Sequence, residues 1–153
     1  AQGIHQWDEV YPARADLEGD LAGGTLHVAA RGTVPVAFVA LDRIQPPEYA
    51  PVPWIFPEPA LVVHRLTVAP AAQGLGLARR LMGQAERVAR HTGCRSIRLD
   101  AFAANSRALR LYEGLGYRRA GTVALRMGPF HVYERSVGPE PSGPATARAG
   151  GDP

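Results

Sequence analysis

The sequence predicts an α/β protein built around a mixed sheet, and three observations carry that prediction. The run Ala60 to Val68 (ALVVHRLTV) is nearly continuous in apolar residues, as expected of a strand buried on both faces. It is followed by Leu75 to Thr92, where Leu77, Leu81, Met82, Ala85, Val88 and Ala89 fall on one helical stripe. Before and after this unit lie two pairs of strand signals, each joined by turn chemistry. The full order is helix, strand pair, strand, helix, strand, helix, strand pair.

Each element has its own local reason. Ala1 to Pro12 reads as an irregular or short helical lead-in anchored by Trp7 and Tyr11. Ala13 to Ala22 is acidic and helical in pattern, and Gly23-Gly24 ends it. Thr25 to Ala30 and Val34 to Leu41 are strands joined by Arg31-Gly32-Thr33, a hairpin-type turn. Asp42 to Pro59 holds prolines at 46, 47, 51, 53, 57 and 59, which excludes a continuous helix or a central strand. A loop of that length is often a binding loop or lid. Ala69-Pro70 ends the buried strand, and Gly93 closes the long helix. Ser96 to Phe102 alternates like a strand, and Asn105 opens a helix that Gly116 closes. Tyr117 to Met127 and Phe130 to Val137 read as the last two strands, joined at Gly128-Pro129. From Gly138 onward no apolar side chain is larger than Ala, so 138–153 is expected to be a disordered tail behind a single domain at 1–137.

Composition narrows the function. The chain has 153 residues, enough for one sizeable core. Its net charge is +3, from 17 basic and 14 acidic residues, and every basic residue is Arg. The arginines are scattered, which argues against a nucleic-acid partner and fits a GC-rich coding bias. One cysteine, Cys94, excludes an intramolecular disulfide and a Cys-based zinc site. It suits a reducing cytoplasm and reads as a packing residue. No apolar run approaches the roughly 20 residues of a membrane helix, and no secretory leader is expected at AQGIHQWDEV. No metal site and no membrane partner are expected.

The most informative stretch is Leu66 to Arg80, LTVAPAAQGLGLARR. A buried strand breaks into a loop with Gly74 and Gly76 and then becomes a helix. Such a loop aims free backbone N–H groups at one point, glycine lets a ligand approach closely, and the helix end adds positive partial charge. The result suits a pyrophosphate, with Arg79 and Arg80 placed to add charge-assisted contacts. The Walker pattern is absent because there is no Lys. The dinucleotide pattern fails because Arg79 stands where a third glycine is needed. An ordinary glycine-rich helix start remains the alternative.

Asn105 and Tyr112 lie seven residues apart. Two helical turns take about 7.2 residues, so both project from nearly one face, about 10 Å apart. Asn105 is equally a good N-cap, and Tyr112 equally a core aromatic.

Together these segments carry a resemblance. Gln73 to Ala78 (QGLGLA), after a strand ending V-A-P, resembles the Q/R-x-x-G-x-G/A signature of the GNAT superfamily of acyl-CoA-dependent N-acyltransferases. Asn105 to Tyr117 (NSRALRLYEGLGY) resembles that family's second motif. The resemblance covers roughly Thr25 to Val137. It implies a mostly antiparallel sheet splayed after the fourth strand, with acetyl-CoA in the opening. It implies that Leu66, Thr67 and Val68 offer backbone groups to the pantetheine arm. Gln73, Gly74, Leu75, Gly76, Leu77, Ala78 and Arg79 would cradle the pyrophosphate. Asn105 would contact the pantetheine, and Tyr112 would face the sulfur. The family's first strand and most of its first helix are expected to be missing from this chain.

The implied activity is transfer of an acetyl group from acetyl-CoA to a primary amine by direct attack in a ternary complex. A strand N–H near Val68 would meet the oxyanion, and Tyr112, ordinarily protonated at neutral pH, would serve as the acid for the departing thiolate. The alternative is a non-catalytic acyl-CoA-binding or regulatory protein. The base is open among His64, His131, Glu134, Glu58 and a water relay. The acceptor is a small-molecule or peptide amine, a homodimer is compatible with the family, and the expected location is the cytoplasm. Trp54 and Phe56 either wall the acceptor pocket or bury themselves against the sheet.

Overall fold

The structure, a computed structural model, describes residues 14–138, with side chains from residue 18. Helix α1 is Arg14–Ala22, strands β1 and β2 are Leu26–Arg31 and Val34–Asp42, and β3 is Ala60–Val68. Helix α2 (Leu77–His91), β4 (Ser96–Phe102), α3 (Ser106–Gly114), β5 (Arg118–Leu125) and β6 (Gly128–Ser136) follow. These are the expected elements within two residues at most ends. The lead-in, the expectation of absent N-terminal elements, and nearly all of the tail fall outside the described residues. No described helix is long and apolar enough to cross a membrane.

The six strands form one sheet in the order β1-β2-β3-β4-β6-β5. Only β3 and β4 are parallel, so the sheet is mixed and mostly antiparallel. The two hairpins turn at residues of positive φ, Gly32 and Gly128, a conformation glycine reaches without steric cost.

The β3–β4 pairing positions the site. It joins Ala60–Val63 to Ser96–Leu99 and stops there, although both strands continue. Beyond this point the strands part and the sheet is splayed. The edge of β3 toward β4 then has no strand partner, so alternate N–H and C=O groups of residues 64–68 face the opening.

Side chains alternate across a strand, which gives the sheet two different faces. One face buries Val39, Leu41, Leu61, Val63, Ile97 and Leu99 against α2 and α3. The apolar stripe on α2 supplies Leu81, Met82, Ala85 and Ala89 to this core. The opposite face buries Val62, Val123, Phe130 and Val132 under Tyr49, Val52 and Trp54. Those last three belong to the proline-rich segment 43–59, a strap lying across the sheet.

The strap is pinned by polar side chains of the sheet. Glu134, completely buried, accepts hydrogen bonds from the backbone N–H of Ile55 and Phe56 at 2.9 and 2.8 Å and from Arg118. Arg98 donates to the Phe56 carbonyl, Gln45 and Glu58, with its guanidinium 4.5 Å from the centre of the Trp54 ring. Trp54 is therefore a strap-packing residue, while the half-buried Phe56 side chain belongs to neither core. Packing against the sheet holds for Trp54, and neither Trp54 nor Phe56 lines the cavity that the splay opens.

Candidate active site

The splay opens into a cavity of about 760 Å³. At one end lies the loop between β3 and α2. A short turn at Pro70–Ala72 leads through extended Gln73 to Gly74 and Gly76, both at positive φ. Gly76 caps α2, whose first hydrogen bond runs from Arg80 N–H to the Gly76 carbonyl. The N–H groups of Leu77, Ala78 and Arg79 therefore have no acceptor inside the helix. The space where a Cβ would stand at Gly74 and Gly76 is open. This arrangement fits a pyrophosphate. Arg107 donates to the Gln73 side chain at 2.9 Å, which fixes the loop from α3.

Most of the expected site residues meet here. Leu66, Val68, Gln73, Gly74, Gly76, Leu77, Ala78, Arg79, Asn105 and Tyr112 all line the cavity. Thr67 and Leu75 do not; strand alternation turns Thr67 away, and Leu75 points outward at 53% exposure. The contribution expected of the Arg80 side chain is also unmet, since helical geometry carries it away from the cavity. Asn105 is the N-cap of α3, its side-chain oxygen accepting from Ala108 N–H at 3.2 Å, and it also borders the cavity.

Tyr112 stands at the junction of the two ends. Its ring is buried at 6% exposure between Tyr117 and Tyr133, with centroids 6.1 Å away in both cases. Burial, reinforced by the charge of Asp100, pushes its hydroxyl well above the ordinary tyrosine range. The hydroxyl thus stays protonated and can donate a hydrogen bond at any physiological pH.

Beside it, β3 carries an irregularity. The pairing steps from Phe38↔Thr67 to Ala40↔His64, so β3 holds one extra residue, and Arg65 takes φ of 50°. A left-handed arginine costs about 1–2 kcal/mol. The Arg65 guanidinium forks onto buried Asp20 of α1, with Nε–Oδ2 at 2.7 Å and Nη2–Oδ1 at 2.5 Å, and holds this shape.

The base candidates separate cleanly. Glu134 is consumed by the strap, and Glu58 by Arg98 and Gln45. His131 bonds Thr122 across the hairpin and is absent from the cavity wall. His64 does line the cavity, with Nε2 2.8 Å from Asp42 Oδ1. Sequence reasoning missed two carboxylates there, Glu48 of the strap and Asp100 of β4. Asp100 sits at an alternate position of a strand, and no local motif marks it. Burial raises its pKa; the hydrogen bond from Tyr49 and the nearness of His64 oppose that rise without cancelling it.

Comparison with known proteins agrees with this geometry. The sequence model of the acetyltransferase (GNAT) family matches residues 3–117. A mycothiol acetyltransferase of Acidothermus cellulolyticus is 44% identical over 68 residues, covering 44% of this chain and 21% of that protein. N-alpha-acetyltransferase 40 of Saccharomyces cerevisiae is 42% identical over 87 residues, covering 52% of this chain and 30% of the other. The chain thus spans between about a fifth and a third of the length of these relatives. Among solved structures, yncA of Salmonella typhimurium, determined with its cofactor acetyl-CoA, superposes with a TM-score of 0.61 at 18% identity, over 86% of this chain and 75% of that one. The splayed sheet, the glycine loop at the start of α2 and the extent of the family match lead to one conclusion: this chain belongs to the acetyltransferase (GNAT) family.

Proposed function

We propose that the protein is an N-acetyltransferase that moves an acetyl group from acetyl-CoA to a primary amine by direct attack in a ternary complex. The observation that carries this reading is that one cavity is bordered by both the anion cradle and Tyr112. The family match and the acetyl-CoA held by a structural neighbour support the choice of donor.

The residues divide the work. The amides at the start of α2, with Gly74, Gly76 and Arg79, hold the pyrophosphate. The free edge of β3 at Leu66 and Val68 aligns the pantetheine arm by backbone hydrogen bonds, and Asn105 borders the same arm. An N–H of that edge meets the oxyanion as charge develops on the carbonyl oxygen. Tyr112 donates a hydrogen bond to the departing sulfur. A free thiol has a pKa of about 8.5, well below that of the buried hydroxyl. Tyr112 therefore acts as donor and relay, and the proton that ends on sulfur originates at the acceptor nitrogen.

The test begins with calorimetric titration of acetyl-CoA, CoA and desulfo-CoA into the purified protein. Micromolar binding is expected, followed by amine-dependent thiol release. Folded protein that binds none of the three would overturn the reading.

A further inference from the structure

The end of the cavity opposite the cradle has its own chemistry, and the inference from it rests on the acetyltransferase reading. Because β3 and β4 part after Val63 and Leu99, the cavity passes through the sheet to the strap face. There it is bordered by Glu48, His64, Asp100, Met127 and Phe130. Asp100 Oδ2 accepts a hydrogen bond from Tyr49 Oη at 2.6 Å, while Oδ1 has no hydrogen-bond partner among the described residues. Tyr49 is 1% exposed, and Trp54 Nε1 holds its backbone carbonyl at 3.0 Å, so its hydroxyl cannot swing away. Glu48 is exposed at the rim. Asp42 adds negative charge behind His64. Among the cations on the wall, Arg65 is engaged by Asp20, and Arg126 stands at the β5–β6 turn. Asp42 engages His64 at Nε2, and Asp100 keeps an oxygen without a hydrogen-bond partner among the described residues, beside Tyr112.

We propose that this end is the acceptor subsite, that it selects an aliphatic primary amine in its ammonium form, and that Asp100 removes the proton from that ammonium. Tyr49 is the positioning residue, holding one carboxylate oxygen so that the other faces the substrate. Glu48 attracts the cation at the mouth.

The step balances. The ammonium gives one proton to Asp100, which returns it to solvent. The nitrogen lone pair then forms the C–N bond, and the carbonyl π pair moves onto oxygen. On collapse the C–S bond breaks and its electron pair leaves on sulfur. The second nitrogen proton passes by way of Tyr112 to that sulfur. The products are the acetamide, the thiol and one released proton.

The experiment measures transfer from acetyl-CoA to n-butylamine and 1,4-diaminobutane by the intact protein, with acetyl-CoA affinity measured in parallel. Wild type is expected to acetylate both amines. Asp100→Asn is expected to lose about 100-fold in kcat/KM at pH 7, with acetyl-CoA affinity unchanged. That loss should shrink about tenfold per pH unit toward the amine's own pKa, because solvent then supplies the free base. Tyr49→Phe should show a smaller loss with the same pH trend. Glu48→Gln, at an exposed position, should raise KM for the diamine severalfold with kcat unchanged. An Asp100→Asn enzyme as fast as wild type, or equally impaired at every pH, overturns the proposal. Wild type that binds acetyl-CoA but acetylates neither amine also overturns it and leaves the donor reading standing. Absence of acetyl-CoA binding brings down the donor reading itself. If Asp100→Asn does not fold, an unchanged diamine KM in Glu48→Gln is decisive against the subsite.

Discussion

The two ends of the cavity are built by opposite means. The cradle end is made of backbone: two glycines at positive φ and the first amides of α2, all within Gln73 to Arg79. The strap end is made of side chains brought from afar. Tyr49 meets Asp100 across 51 positions of sequence, and Ile55 meets Glu134 across 79. A backbone site needs one short segment to be right. A side-chain site needs the whole fold to be right. On the proposed function the first end takes a group common to every acyl-CoA, and the second is free to differ wherever the strap differs.

Glu134→Ala gives the largest expected effect and breaks the strap end alone. It strips two backbone N–H groups and Arg118 of their acceptor. The cost is about 3–5 kcal/mol, or roughly a 10 °C fall in melting temperature. Acetyl-CoA affinity of the still-folded fraction at low temperature should remain, since the cradle does not touch the strap. Loss of both together would show that the ends are not separable.

Tyr112→Phe probes the junction. Stopped thiol-release assays should find kcat reduced about 100-fold, with the acetyl-CoA dissociation constant within twofold of wild type. An unchanged kcat would remove Tyr112 from the reaction. Gly74→Val probes the cradle end. A β-branched residue at φ of 81° is strained by about 1–2 kcal/mol. Acetyl-CoA should bind about tenfold more weakly, and the melting temperature should fall by a few degrees. A wild-type affinity would mean the loop does not contact the donor.

The smallest effect concerns pH. The Asp100 carboxyl has a folded pKa above its unfolded value of 3.8. Between those two values the native state binds more protons than the unfolded chain. Its stability therefore falls as pH rises through that window, and the loss persists above it. Asp100→Asn should flatten this decline and be no less stable than wild type at pH 7, while losing transfer. A variant that is both slower and clearly less stable would instead mark Asp100 as structural.

The same contrast explains what the sequence revealed. The stripe from Leu77 to Ala89 and the run from Ala60 to Val68 are local periodicities, so their elements were legible. Gly74, Gly76, Asn105 and Tyr112 are legible because a helix start and a helical repeat fix their geometry within a few residues. Glu134, weighed as a base, turned out to hold the strap; its partners Ile55 and Phe56 could not be known before the fold. Asp100 was invisible for the same reason. In SIRLDAF it is one polar position of an alternating strand, and only the end of the β3–β4 pairing beneath it opens a cavity at that point.

The strap has a further consequence for redesign. Its attachment to the sheet runs through Tyr49, Trp54, the two amides held by Glu134, and the Arg98 bonds to Gln45, Glu58 and the Phe56 carbonyl. The exposed side chains of Ile44, Glu48 and Ile55 are not among those anchors. New sequences inserted between fixed anchor points would alter what enters the cavity without rewriting the donor machinery. The fold thus supplies an interchangeable cartridge, and a library confined to those few positions is the economical route to enzymes that acetylate different amines.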